Sequence, residues 1–248
     1  MPTVNEVYAY LQTLAPLELA ESWDNPGLLV HCQGQVTGIL CALDITAEVV
    51  REAQHSGCNV IVSHHPVIFG GVKQLCSTDV VFMLAQSGIS TICMHTNLDA
   101  AEGGVNDVLA GVFQLQKVEK FGIGRVGMLP GNAPVSPLAL AQLCRDKLGA
   151  SVRLASVGKP VHRVAVMGGS GADYLNEAAK AGADAYITGD AGHHAALDAL
   201  ALGVSLLAAG HYETEFPVIP VLARQLQSAF PAVQVTVTQN GASPFVTI

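Results

Sequence analysis

Five side chains in this sequence have the types and spacing of a metal centre: His64, His65, Asp99, His211 and Glu215. They follow short apolar runs. Ser63-His64-His65-Pro66 comes after Asn59-Val60-Ile61-Val62. His95-Thr96-Asn97-Leu98-Asp99 comes after Ser90-Thr91-Ile92-Cys93-Met94. His211-Tyr212-Glu213-Thr214-Glu215 comes after Ser205-Leu206-Leu207-Ala208-Ala209-Gly210. Imidazole and carboxylate donors without cysteine suit zinc, iron, manganese, cobalt or nickel better than a thiolate structural zinc. Five donors exceed the needs of one catalytic ion. With Asp99 or Glu215 bridging, they suit two divalent transition-metal ions about 3.5–4 Å apart, where a bridging water becomes a hydroxide nucleophile near neutral pH. The chemistry expected is hydrolysis.

Each residue also has a competing explanation. Neighbours in a strand point to opposite faces, so His64 and His65 share a cavity only if the strand has ended. Glu215 near a helix start suits the helix dipole. His211, four residues earlier and on the same helical face, is not needed for that. Asp99 is read as a ligand, and His95 as a group that orients it or moves a proton. His194, in Thr188-Gly189-Asp190-Ala191-Gly192-His193-His194, is a second proton-transfer candidate. Asp190 either caps the next helix or faces the cleft. Asp24, Asn25 and Asp44 are candidates to close the site. Gly168-Gly169-Ser170-Gly171 is a weak phosphate motif, since it lacks the P-loop lysine and the G-x-G-x-x-G pattern.

Positioning these groups requires strands that end together, and the pattern supplies them. A capping box at Thr3-x-x-Glu6 starts a helix over 4–14. Buried strands are expected at 38–43, 59–63 and 90–94. Helices capped by Thr46 and by Ser77 or Thr78 lie between them, and another runs over 103–111. The stretch 114–137 reads as irregular. Ser136-Pro137 then opens a helix that Gly149 stops. Strands at 162–167, 185–188 and 205–209 alternate with helices at 172–181 and 192–202. A helix from Thr214 and a strand at 234–239 follow. Such alternation predicts an α/β fold of parallel βαβ units, with sheets flanked by helices. The halves rhyme, most clearly in the His-x-x-x-acid spacing of His95/Asp99 and His211/Glu215. We therefore expect an internal duplication: two similar α/β domains, 1–124 and 125–248, with the metal site at their junction and the last strand a candidate to return to the first domain. In open α/β sheets, ligands bind outside the carboxyl ends of the strands.

The bulk composition narrows the partners. The chain has 248 residues, half of them apolar and 13% charged, enough for sizeable cores. The net charge is −8 and the cations are scattered, which argues against an extended nucleic-acid footprint. The six cysteines form no Cys-x-x-Cys pair and read as free thiols in a reducing compartment. Neither a secretory leader nor an apolar run of about 20 residues is legible, so a cytoplasmic protein without a membrane partner is expected.

Taken together, Trp23-Asp24-Asn25-Pro26-Gly27-Leu28, Ser63-His64-His65-Pro66, His95-Thr96-Asn97-Leu98-Asp99, Thr188-Gly189-Asp190 and Gly210-His211-Tyr212-Glu213-Thr214-Glu215 make the chain similar to one family. It resembles the GTP cyclohydrolase I type 2 family, also called Nif-three-like dinuclear-metal hexameric proteins, in its short form without a central inserted domain. The resemblance implies a two-domain α/β fold and a toroidal homohexamer with metal pairs inside. It carries metal binding to His64, His65, Asp99, His211 and Glu215. It also implies a hydrolase that opens the guanine ring of GTP and releases formate. The alternatives are a nucleotide phosphoesterase and a metal-binding assembly or interaction protein without catalysis.

Overall fold

The computed structural model describes residues 1–131 and 133–246. The chain separates into two compact units, Met1–Glu102 with Val218–Ala242, and Gly103–Pro217 with the chain from Ser243.

The first unit begins with α1 (Val4–Leu14). Its capping box is complete: the Thr3 hydroxyl accepts from the Glu6 N–H, and the Glu6 carboxylate accepts from the Thr3 N–H at 2.7 Å. Then come β1 (Gly27–Val30), β2 (Gly38–Ala42), α2 (Ala47–Ser56), β3 (Val60–Ser63), α3 (Val80–Gln86), β4 (Ser90–Cys93) and α4 (Thr96–Ala100). Thr46 caps α2, and Gly57 ends it in the left-handed conformation. α3 differs from expectation. Asp79, not Ser77 or Thr78, occupies its N-cap, and the Asp79 carboxylate takes the Cys76 N–H at 2.6 Å, closing the preceding turn.

The second unit holds α5 (Val105–Val112), β5 (Gln116–Phe121), β6 (Gly124–Met128), α6 (Pro137–Leu148), β7 (Arg153–Ala155), β8 (Arg163–Met167), α7 (Leu175–Lys180), β9 (Ala185–Thr188), α8 (His193–Leu202), β10 (Ser205–Ala208) and α9 (His211–Glu215). The chain then returns to the first unit as α10 (Val218–Ala229) and β11 (Gln234–Val237). The single helix expected from Thr214 is thus two helices, with Pro217, which has no N–H to continue the ladder, between them.

The first sheet has the order β1-β4-β3-β2-β11; β1 is antiparallel to β4 and the other pairings are parallel. Every residue of β2, β3 and β4 is buried. Leu40, Ala42 and Ile61 pack against Val49, Val50 and Ala53 of α2 and Leu84 of α3. The second sheet has the order β5-β6-β8-β9-β10-β7. Its central strands are sandwiched. Val164, Val166 and Ile187 meet Leu109 of α5 and Leu140 of α6, while Ala165, Met167 and Tyr186 meet Leu175 and Ala178 of α7 and Ala199 of α8. Alternate residues therefore serve opposite faces, as the pleat requires.

The duplication is visible in the topology. The order β1-β4-β3-β2 in one sheet recurs as β7-β10-β9-β8 in the other, each with one antiparallel edge strand. Each repeat is followed by an extension that joins the other repeat's sheet. The β5–β6 hairpin, after the first repeat, pairs with β8; β11, after the second, pairs with β2. The stretch expected to be irregular, 114–137, contains that hairpin. Because it joins the second sheet, the units part at Glu102–Gly103 and not at 124.

Candidate metal centre

In the first unit the strand ends carry three imidazoles. The His64 and His65 N–H groups continue the ladder beyond β3, bonding Ala42 O at 3.2 Å and Leu43 O at 2.9 Å. The Ser63 hydroxyl then bonds His65 O at 2.8 Å, which folds the chain before Pro66 and frees the two rings from strand alternation. Their centroids lie 5.0 Å apart, and that of His95 lies 5.3 and 5.6 Å from them. One ring nitrogen from each of His64, His65 and His95 lies within 4.8 Å of the others. Asp99 Oδ1 stands 3.7 Å from His64 Nε2. His95, expected only to orient or shuttle, is thus also placed as a donor.

All three rings are held by Nδ1. His64 Nδ1 donates to Met94 O at 2.8 Å, His65 Nδ1 to Asp44 Oδ1 at 2.7 Å and His95 Nδ1 to Asp24 Oδ1 at 2.7 Å. A carbonyl or carboxylate oxygen only accepts, so Nδ1 carries the proton and the lone pair of the neutral ring sits on Nε2. Burial and the neighbouring His64 push the His95 pKa below 6.5, against the opposing pull of Asp24, so His95 is neutral at pH 7. Asp24 is ionised. Burial raises its pKa, but hydrogen bonds from the Thr96 hydroxyl, His95 and the Thr96 N–H outweigh that and hold it below 3.8.

The second unit carries its own histidine and acid. His211 opens α9, its Nδ1 donates to Asp190 Oδ2 at 2.8 Å, and its Nε2 lies 3.1 Å from Glu215 Oε2. Glu215 is 4% exposed and is seated on backbone. A Cβ on Gly169, which has φ +62°, would lie 2.0 Å from Glu215 Oε1. One on Gly189 would lie 2.8 Å from the His211 Cα and from Thr214 Oγ1. Only glycine permits this approach. Thr214 Oγ1 accepts the Gly169 N–H at 3.1 Å and donates within its own turn. Gly168 and Gly169 therefore make room for a carboxylate.

Asp190 does not cap α8. That helix starts at His193 with Gly192 as its N-cap and no side-chain cap, while Asp190 orients His211 and accepts from the Ser170 hydroxyl at 3.3 Å. His194 stands exposed in the first turn of α8, its ring edge-to-face with His193 at 5.6 Å. Asp24, Asp44 and Asp190 were legible as polar residues near strand ends. Their pairing with His95, His65 and His211 was not, because partners up to 71 residues apart meet only through tertiary structure.

The donors suit a divalent metal. Four imidazoles are fixed through Nδ1 with Nε2 basic, the usual arrangement of metal-binding histidines, and carboxylates stand beside two of them. The described residues thus contain groups of histidine and acidic side chains able to hold a metal ion. None of their helices is long and apolar enough to cross a membrane.

Comparison with known proteins shows the family. The sequence profile of the Duf34/NIF3 (NGG1p interacting factor 3) family matches residues 2–244. A GTP cyclohydrolase 1 type 2 homolog from Clostridium acetobutylicum is 31% identical, covering 98% of this chain and 97% of its own. A protein of the same name from Streptomyces coelicolor is 35% identical, covering 91% and 86%. A crystal structure of a Staphylococcus aureus hypothetical protein is 31% identical, with a TM-score of 0.92 over 99% of both chains.

Proposed function

Since the chain belongs to the Duf34/NIF3 family, we propose that it is a metal-dependent hydrolase of nucleotides, with GTP as the leading substrate. In this reading it is a cytoplasmic homohexamer, and His64, His65, Asp99, His211 and Glu215 hold two divalent transition-metal ions (zinc, iron, manganese, cobalt or nickel) per chain. The observation that carries the reading is the shared presentation of the imidazoles, each with Nδ1 tied to an acceptor and Nε2 basic. The substrate is supported by the name of the relatives, GTP cyclohydrolase 1 type 2 homolog.

Bound there, such ions supply Lewis acidity and lower the pKa of water. The protein's own groups do the rest. Asp44 and Asp190 fix the rings of His65 and His211. Neutral His95 accepts a proton at Nε2 as water adds to guanine C8, and buried Asp24 stabilises the resulting imidazolium through Nδ1. His95 then returns the proton to a ring nitrogen as the imidazole ring opens to a formamide. A second water, its proton taken in the same way, hydrolyses the formamide to formate and a free amine. His194, exposed on α8, is the second proton-transfer candidate, and His194→Gln tests it.

Elemental analysis after dialysis is the first test. We expect two ions per chain in the wild type and loss of at least one in His64→Ala and in His211→Ala; unchanged stoichiometry in both overturns the ligand assignment. Metal-reconstituted protein is then given GTP with formate and phosphate both measured. Formate supports ring opening, phosphate without formate replaces it with phosphoester hydrolysis, and neither product leaves a metal-binding assembly without catalysis.

A further inference from the structure

We propose that Trp23 and Phe69 form a stacking platform for a planar nitrogen heterocycle, of the purine class, beside the imidazoles of the first unit. This deepens the hydrolytic reading above and rests on it for the identity of the ring, though not for the existence of the platform.

The chain has a single tryptophan, and it is 59% exposed; Phe69 is 56% exposed. Scattered exposed apolar residues are ordinary, but these two are ordered against each other. Their centroids are 5.9 Å apart with planes tilted by 31°. Each also meets His95 edge-on at 6.2 Å. Their backbones are pinned to the polar network of the site. Asn25 Nδ2 donates to Ile68 O at 2.6 Å, tying the turn that carries Trp23 to the segment that carries Phe69. The Asn25 N–H donates to Asp24 Oδ1 at 2.7 Å, and the same carboxylate holds His95. The aromatic pair and the proton-handling histidine are therefore positioned by one set of hydrogen bonds.

That geometry selects a ring as the ligand. Stacked centroids stay at least about 4.5 Å apart, so an inserted ring needs roughly twice that separation. At 5.9 Å the pair cannot clamp a ring between its members, and the ligand stacks on an open face. Any base has a π-face, and such stacking tolerates different bases. A ring lying there has His95 at its edge, and His64 and His65 follow at 5.3 and 5.6 Å from His95. An aliphatic or anionic ligand would gain little from two aromatic faces.

The lone tryptophan makes the test direct, because its emission reports on residue 23 alone. Guanosine is titrated into the full-length protein, both metal-free and metal-loaded, with ribose 5-phosphate as the control. We expect saturable quenching by guanosine and none by ribose 5-phosphate. Phe69→Ala should weaken guanosine binding about tenfold, with Phe69→Tyr restoring it and circular dichroism unchanged in both. Calorimetry should show the same loss for Trp23→Ala and recovery for Trp23→Phe. Equal quenching by the two probes, no quenching, or unaltered affinity in Phe69→Ala overturns the platform. So does an emission change that follows protein concentration without nucleoside, which would show that a second copy covers the pair. Guanosine binding without formate release keeps the platform and sinks ring opening; formate release with a silent Trp23 does the reverse.

Discussion

The repeat β1–β4 and the repeat β7–β10 share a strand order but not a way of holding side chains. In the first, three imidazoles are aimed by acceptors: Met94 O, Asp44 and Asp24. In the second, one imidazole is aimed by Asp190, and a carboxylate is seated on glycine backbone at 169, with Gly189 closing against its helix. The helices differ in register too. His95 is the N-cap of α4, whereas His211 is the first residue of α9, so the matching His-x-x-x-acid spacing is not matched position for position. Duplication supplies strand ends in equivalent places; the chemistry at those ends was built separately in each copy.

The contrast extends to the two extensions, and it can be broken there with the largest effect. In the second unit Arg125, 1% exposed, is bound by Asp107 through two contacts, at 2.5 and 3.1 Å. Asp107→Asn removes a carboxylate from that buried guanidinium and should cost about 3 kcal/mol, the low end for a buried pair because Asp107 is 30% exposed, read by denaturant unfolding. The same carboxylate governs acid behaviour. Burial raises its pKa, but Arg125 and the Gly103 N–H hold it below 3.8. A depressed folded-state pKa contributes stability fully present above 3.8 and lost as pH falls through the lower folded value. The wild type should therefore lose stability more steeply below pH 3.8 than Asp107→Asn. Equal slopes would mean that this pair does not govern the acid limb.

Next in size is the pair of orienting carboxylates. Asp44→Ala and Asp190→Ala should each weaken metal affinity about 10–100-fold, measured by competition with a chelator. Asp190→Ala should be the milder if the Glu215 seat keeps its own geometry, since that seat is backbone-made. Equal losses would show that backbone and side-chain positioning are equally dependent on these hydrogen bonds.

The smallest effect is expected at Glu52, which fastens the other extension. Its carboxylate accepts from the Thr238 hydroxyl, the Gln239 N–H at 2.9 Å and Asn240 Nδ2 at 2.9 Å. The site is partly open to water, so Glu52→Gln should cost about 1 kcal/mol. A loss approaching that of Asp107→Asn would erase the distinction between a buried and an exposed fastening.

Much of this was legible beforehand, for identifiable reasons. Apolar runs such as Val60-Ile61-Val62, with Thr46 and Gly57 bracketing the intervening helix, signal buried strands and capped helices locally. β5 was hidden because five of its six residues are exposed and its sequence, Gln-Lys-Val-Glu-Lys-Phe, has no buried face to betray it. β7 was hidden by its three-residue length. The metal-type donors declared themselves by residue type, but the hydrogen bonds that aim them join residues 21 to 71 apart, beyond any local pattern.

The crossed extensions also set a timetable for synthesis. β2 lies inside its sheet only once β11 has paired with it, and β11 emerges from the ribosome long after β2, with the whole second repeat between them. At ordinary elongation rates the wait between the two is on the order of ten seconds or more. Throughout it, an apolar strand edge stands open in the nascent protein, the kind of edge that recruits foreign strands. Stalled or truncated translation products ending before Val218 should accordingly be aggregation-prone and dependent on chaperones.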